Sequence, residues 1–275
     1  MTLSVERPIV LIGAGRMGGA LMRGWLEGGL DAAQLFVRDP SPARETAQFV
    51  AERGIAFNFE IDDLAQRRPG AVVLAVKPQA MGDIVPLLRP LVAPETVFLS
   101  IAAGTSLATL VRLLEREAAI VRSMPNVAAS IGRGISVACA GARVSEAQRD
   151  LCSGLLEAVG DVAWVGSEDL IDAATAISGS GPAYAFYLVE CLAAAGEAVG
   201  LEAGLAMRLA RATLSGAGEM LHLSDESAAQ LRQSVTSPGG TTAAALEVLM
   251  SDEGLAPLLK RAVIKARDKA RDLSG

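Results

Sequence analysis

A short apolar strand, Ile9-Val10-Leu11-Ile12, runs into Gly13-Ala14-Gly15-Arg16-Met17-Gly18, and a helical stretch from Gly19 to Glu27 follows at once. No other feature of the chain restricts its fold as tightly. In the order strand, GxGxxG, helix, the first glycine permits a tight turn and the second lets backbone approach a pyrophosphate. The third lets helix and strand pack closely. A lone GxGxxG also suits a merely structural glycine turn, but its context here predicts the first βαβ unit of a dinucleotide-binding sheet, with Gly13 to Gly18 as the phosphate cradle.

The segments that follow extend this reading. Leu35 to Val37, Ala71 to Val76, Val97 to Ile101 and Ile120 to Ser123 are short runs rich in valine, isoleucine and leucine, as in a sheet covered on both faces. Helical patterns fall between most of them, the signature of a parallel sheet wound with right-handed crossovers. Ile135 to Ala138 and Val162 to Val165 read as later strands, separated by a helix from Ser145 to Val159 that opens on the capping box Ser145/Gln148. After residue 168 helix follows helix: Leu170 to Ile177, Ala183 to Val199, Leu205 to Leu221, Glu226 to Gln233, Thr242 to Leu249 and Leu255 to Arg271. The expected fold class is therefore α/β, a Rossmann-type doubly wound parallel sheet over residues 1–168, followed by an all-α domain over residues 169–275. Several of the later helices are alanine-rich and apolar on more than one face, which suits packing against a second subunit.

Composition excludes several function classes. The net charge of −6 offers no basic face for nucleic acid or an anionic membrane. Cys139, Cys152 and Cys191 are odd in number and form no CxxC, so neither a disulfide framework nor a structural zinc site is expected. No basic-apolar-small signal pattern precedes the first strand, and the apolar stretch Ala183 to Leu201 is interrupted by Glu190 and Glu197. A cytoplasmic, soluble protein is the expectation.

The carboxyl edge of the sheet should hold the ligand. Arg38 and Asp39 stand where the second strand ends; an arginine there accommodates a 2′-phosphate and an acidic residue the ribose hydroxyls of NAD. With Arg38 as clamp and Ser41 as a further donor, NADPH is expected, and NADH remains open. Ala75-Val76-Lys77-Pro78-Gln79, Ser100-Ile101-Ala102-Ala103-Gly104 and Arg122-Ser123-Met124-Pro125-Asn126 close other strands at that edge. Ser178-Gly179-Ser180-Gly181-Pro182-Ala183-Tyr184 opens the long helix of the second half. Val235-Thr236-Ser237-Pro238-Gly239-Gly240-Thr241-Thr242 reads either as a well-capped helix start or as an anion site of backbone N–H groups.

Taken in this order and spacing, Gly-Ala-Gly-Arg-Met-Gly, Ala-Val-Lys-Pro-Gln, Met-Pro-Asn, Ser-Gly-Ser-Gly-Pro-Ala-Tyr and Val-Thr-Ser-Pro-Gly-Gly-Thr-Thr resemble the pyrroline-5-carboxylate reductases over essentially the whole chain. The resemblance implies reduction of 1-pyrroline-5-carboxylate to L-proline with NADPH or NADH, the last step of proline synthesis. It also implies an interleaved homodimer, often assembled into a ring, with each site shared between two chains. Carried over by position, Ser237, Gly239 and Gly240 bind the substrate carboxylate, Ser234 and Thr241 flank them, and Thr242 hydrogen-bonds the ring nitrogen. Glu168 lies near the substrate amine. Ala75, Val76, Lys77, Pro78 and Ala102 line the cofactor with the glycine loop. The chain departs from the family's pattern at Gln233-Ser234-Val235, where Asp-x-Val is frequent, and at Asp62, where asparagine is common.

The residues that are missing fit the same chemistry. Reducing a ketone creates an alkoxide that needs a proton donor, yet the chain has one histidine, His222, and no lysine between Lys77 and Lys260. A cyclic imine can take its proton from water before hydride arrives, and then needs orientation more than acid catalysis. Three alternatives stand beside this one. Another cyclic-imine reductase would share the site. A β-hydroxyacid dehydrogenase would need a lysine on the first long helix of its second domain, and Leu170 to Tyr184 has none. A non-catalytic nucleotide-sensing scaffold would keep the glycine loop but lose the Gly239-Gly240-Thr241-Thr242 turn.

Overall fold

A computed structural model of the chain describes residues 5–115 and 117–274. The elements run β1 (Ile9–Ile12), α1 (Arg16–Glu27), β2 (Leu35–Arg38), α2 (Arg44–Glu52), β3 (Ala56–Phe57), α3 (Ile61–Ala65), β4 (Ala71–Leu74), α4 (Met81–Ile84), β5 (Val97–Ser100), α5 (Leu107–Leu114), β6 (Ala119–Met124), β7 (Gly134–Ala140), α6 (Glu146–Glu157) and β8 (Gly160–Trp164). The strands form one sheet in the order β3-β2-β1-β4-β5-β6-β7-β8. All neighbours are parallel except β6 and β7, which pair antiparallel with Arg122 opposite Cys139. That exception has a simple cause. The segment 125–133 between them holds only a 3-10 turn, Val127–Ile131, too short for the crossover a parallel return requires. The expected parallel sheet is thus interrupted once, and the two-residue edge strand β3, within the short run Ile55-Ala56-Phe57, is an addition to the strands expected.

Alternation along each strand divides the core in two. Ile9, Leu11, Val37, Val73, Leu99 and Val121 face α1 and α6, meeting Leu21, Met22, Trp25, Leu155 and Leu156. Val10, Ile12, Val72, Leu74, Phe98 and Ile120 face the other layer, with Met81, Val85, Leu88, Leu110 and Leu114. Both faces are covered, which is why these strands carry no polar alternation. Trp25 is fully buried and donates its Nε1–H to Leu155 O at 2.7 Å, tying α1 to α6. The capping box at Ser145 forms as read: Gln148 N–H donates to Ser145 Oγ, and Ser145 N–H to Gln148 Oε1.

The helical part consists of α7 (Asp169–Ala174), a π-helical turn over Thr175–Gly179, α8 (Gly181–Ala198), α9 (Ala203–Leu223), α10 (Ala228–Ser234), α11 (Thr241–Leu249) and α12 (Leu255–Ser274). Packing breaks the chain later than the change of grammar at residue 168. The first compact unit runs through Gly179 and takes in the end of α12 from Arg267; the second is Ser180–Ala266. The reason is α7, whose Ile171 is buried with Val137 and Cys139 of β7. In the second unit α8 and α9 pack through small residues, including the buried Ala193, Ala206 and Ala210. Glu202 caps α9 by accepting the N–H groups of Gly204 and Leu205. Large apolar side chains stay exposed there, among them Phe186 at 64%, Val199 at 83% and Val248 at 71%. Among the described residues, no helix is long and apolar enough to cross a membrane.

Candidate active site

β1 and β4 are sheet neighbours with the chain winding outward from each, so the switch point of this sheet lies between their carboxyl ends. The glycine loop and the Ala75–Pro78 segment leave the sheet at that point. Gly13 N–H donates to Arg38 O at 2.8 Å, and Ala75 N–H to Ile12 O at 2.8 Å. Gly13 has φ +91, and a Cβ on it would stand 2.8 Å from Ala75 O. Nothing but glycine fits. A Cβ on Gly18 would collide with Gly13 O, whereas one on Gly15 would meet nothing within 4 Å. Two glycines thus shape the turn, and the third leaves its backbone open at the start of α1, where no side chain caps the helix. Such a cradle fits the pyrophosphate of a dinucleotide. Arg16 is exposed beside it and Met17 half-buried.

Around the loop, Ala75 and Val76 are half-buried, while Lys77 and Pro78 are exposed at the head of a 3-10 turn, Pro78–Ala80. Ala102 is buried past the end of β5, and its N–H donates to Ser100 Oγ at 3.4 Å. At the end of β2, Arg38 donates Nη1–H to Phe59 O at 2.6 Å. Asp39 turns its carboxylate to the glycine loop, where Oδ2 accepts the Ala14 N–H at 2.8 Å. A cavity of about 760 Å³ between Arg7, Gly70, Glu95, Gln148 and Leu151 opens at the amino edge of the strands and belongs to none of this chemistry.

The end of β6 carries a charge cluster. Arg122, 3% exposed, reaches Glu168 Oε1 at 2.9 Å and Asp172 Oδ1 at 3.1 Å. Glu168 Oε1 also accepts the Leu107 N–H at 2.8 Å, closing the first turn of α5. Burial and the nearby Glu168 push the Cys139 thiol pKa upward, against the opposing pull of Arg122. Asn126 donates to Ser178 O at 3.2 Å and accepts from Ile135 N–H at 3.3 Å, linking the strand ends to the π-helical turn. Neither the ion cluster nor the Asn126 bridge was read from sequence. A signal existed for the first: an arginine inside the apolar run Ile120 to Ser123 demands partners, and Glu168 and Asp172 are spaced i, i+4 on one helical face.

The remaining positions named from sequence lie in the second unit, around the turn before α11. Gly239 has φ +70, and Gly240 N–H donates to Ser237 O at 3.0 Å. Gly240 is the N-cap residue of α11 with no side-chain cap, so backbone N–H groups head this helix. Ser237 and Thr241 are exposed and Thr242 half-buried. Ser234 Oγ donates to Leu231 O at 2.8 Å, inside its own helix.

Comparison with known proteins carries the geometry to a family. Residues 168–273 match the family model described as pyrroline-5-carboxylate reductase dimerisation. Residues 8–104 match that described as NADP oxidoreductase coenzyme F420-dependent. The pyrroline-5-carboxylate reductase of Pseudomonas aeruginosa is 40% identical over 266 residues, covering 97% of this chain and 96% of that protein. A solved structure of a pyrroline-5-carboxylate reductase from Coxiella burnetii superposes with a TM-score of 0.91 at 34% identity, covering 98% of this chain and all of that one. The Plasmodium falciparum pyrroline carboxylate reductase, solved with NADP bound, gives 0.79 at 28% identity over 98% of this chain and 99% of the other. A glycine cradle at the switch point, a glycine turn heading a helix in the second unit and near-complete coverage at this identity lead to one statement: the chain belongs to the pyrroline-5-carboxylate reductase family.

Proposed function

We propose that the chain reduces 1-pyrroline-5-carboxylate to L-proline with NAD(P)H, completing proline biosynthesis. The observation that carries this reading is the intact turn Gly239-Gly240-Thr241-Thr242, in a chain matched along nearly its whole length by these reductases. Bound at the glycine cradle, the dinucleotide supplies the hydride that the imine carbon accepts. Gly13, Ala14, Gly15, Arg16, Met17 and Gly18 hold its pyrophosphate, while Ala75, Val76, Lys77, Pro78 and Ala102 border the rest. The backbone of Gly239 and Gly240 with Ser237 anchors the substrate carboxylate, Ser234 and Thr241 stand beside them, and the Thr242 hydroxyl orients the ring nitrogen. Since Arg122 and Leu107 engage Glu168 Oε1, it is Glu168 Oε2 that is left to face the substrate amine.

The division of labour we propose places dinucleotide binding in residues 1–168, and dimerisation with substrate binding in residues 169–275. The exposed apolar side chains of α8, α9 and α11 support a homodimer, because a lone subunit rarely leaves so much apolar surface in water. A ring of dimers and a cytoplasmic setting complete the proposal. Consumption of NADPH or NADH with racemic pyrroline-5-carboxylate, with formation of proline, tests the activity. Thr242→Ala should lower kcat about a hundredfold and leave dinucleotide affinity unchanged. An unaltered kcat at saturating substrate removes Thr242 from the mechanism.

A further inference from the structure

NADH and NADPH differ by one phosphate on the adenosine ribose, and the ribose of a dinucleotide lies beside the end of the second strand. Arg38 and Asp39 occupy that position and by charge alone favour opposite cofactors. Their hydrogen bonds separate them. Asp39 Oδ2 accepts the Ala14 N–H at 2.8 Å and Oδ1 the Ser41 N–H at 3.0 Å, while its own N–H donates to Asn58 Oδ1 at 2.9 Å. Asn58 adopts φ +52, a left-handed turn that asparagine tolerates, and donates its N–H to Val37 O at 2.9 Å. The carboxylate is therefore held through one oxygen by the glycine loop and through the other by its own turn, one residue from the open backbone of Gly15. Arg38 is tethered by one of its five N–H donors, Nη1, to the Phe59 carbonyl at 2.6 Å.

We infer that Asp39 is the residue that sets cofactor choice in this chain, weighting the site toward NADH over NADPH. A carboxylate offers only acceptor lone pairs, which suit two ribose hydroxyls. A 2′-phosphate brings close to two negative charges and no spare donor, and meets an anion that two backbone amides keep from swinging away. Discrimination thus comes from a repulsive element fixed by the loop itself. The inference rests on the proposed dinucleotide site and deepens it.

Calorimetric titration of the full-length protein with NADH and with NADPH, without substrate, tests it independently of turnover. NADH should bind at least about tenfold more tightly, equivalent to about 1.4 kcal/mol. Asp39→Asn keeps an acceptor for Ala14 N–H but removes the charge; it should bring the two dissociation constants to within about a factor of two by tightening NADPH. Arg38→Ala should leave the ratio unchanged. Wild-type protein that binds NADPH as tightly as NADH, a ratio unmoved in Asp39→Asn, or selective loss of NADPH in Arg38→Ala overturns the inference while sparing the site. Wild-type protein that binds neither overturns the dinucleotide site, and the inference with it. If circular dichroism finds Asp39→Asn unfolded, Asp39→Ser carries the same expectation and the wild-type ratio still decides.

Discussion

Replacing Arg122 with leucine should destabilise the protein by about 3 kcal/mol, more than most single changes on the sheet, because its cost lies in what the arginine leaves behind. Asp172 keeps a side chain only 10% exposed and loses the guanidinium that stood 3.1 Å away. Glu168 suffers less, since its side chain is 27% exposed and its Oε1 retains the Leu107 N–H. The loss of the guanidinium beside one buried carboxylate places the cost at the low end of the roughly 3–5 kcal/mol that breaking a buried ion pair costs. For a chain of this size that lowers the melting temperature by about 6–10 °C. A double-mutant cycle followed by thermal unfolding separates this cause from lost packing. Arg122→Leu with Asp172→Leu should recover at least about half of the loss, because the most buried carboxylate of the cluster goes with its cation and only the more exposed Glu168 remains. If the single variant stays within about 1 kcal/mol of wild type, or the double variant is no better than the single, the reasoning fails.

Gly18→Ala drives a methyl group into the Gly13 carbonyl, so dinucleotide affinity should fall by more than about tenfold, as titration with NADH would reveal; unchanged affinity would mean that the loop relaxes freely. Gly240→Val places branched bulk 3.2 Å from Ser237 O and over the N–H groups at the head of α11. It should raise KM for pyrroline-5-carboxylate by about tenfold or more with NAD(P)H affinity preserved, and a wild-type KM would remove this turn from carboxylate binding. The N–H groups of Gly204 and Leu205 hold the Glu202 pKa below its ordinary value of 4.5. A lowered folded value means that this cap contributes above the unfolded pKa and is lost as pH falls through the folded one. Hydrogen exchange at the start of α9 should therefore accelerate in that acid window beyond its intrinsic pH dependence, and Glu202→Gln should abolish the step.

Much of this fold was legible because its causes are local. Continuous apolar runs announced seven of the eight strands, the Ser145/Gln148 capping box announced α6, and the GxGxxG loop named the point where β1 ends. β3 was not legible, since it pairs with β2 over only two residues and the run Ile55-Ala56-Phe57 is too short to mark a strand. The antiparallel β7 followed from loop length rather than strand composition, and the packing of α7 with the sheet depended on Arg122, Ile171 and Asp172 meeting across residues far apart in the chain.

The candidate site divides the same way. Glycine-rich turns and a chain without mid-sequence lysine or a second histidine are properties of residue identity, and together with the resemblance carried by the motifs they pointed to an imine reductase. Where side chains point is not such a property. Arg38 and Asp39 are adjacent in sequence and opposite in charge, and nothing in their order says which one reaches the loop. The tertiary structure decided that, because the Ala14 and Phe59 groups that capture them come from two other segments brought beside the end of β2 by the pairing of β1, β2 and β3.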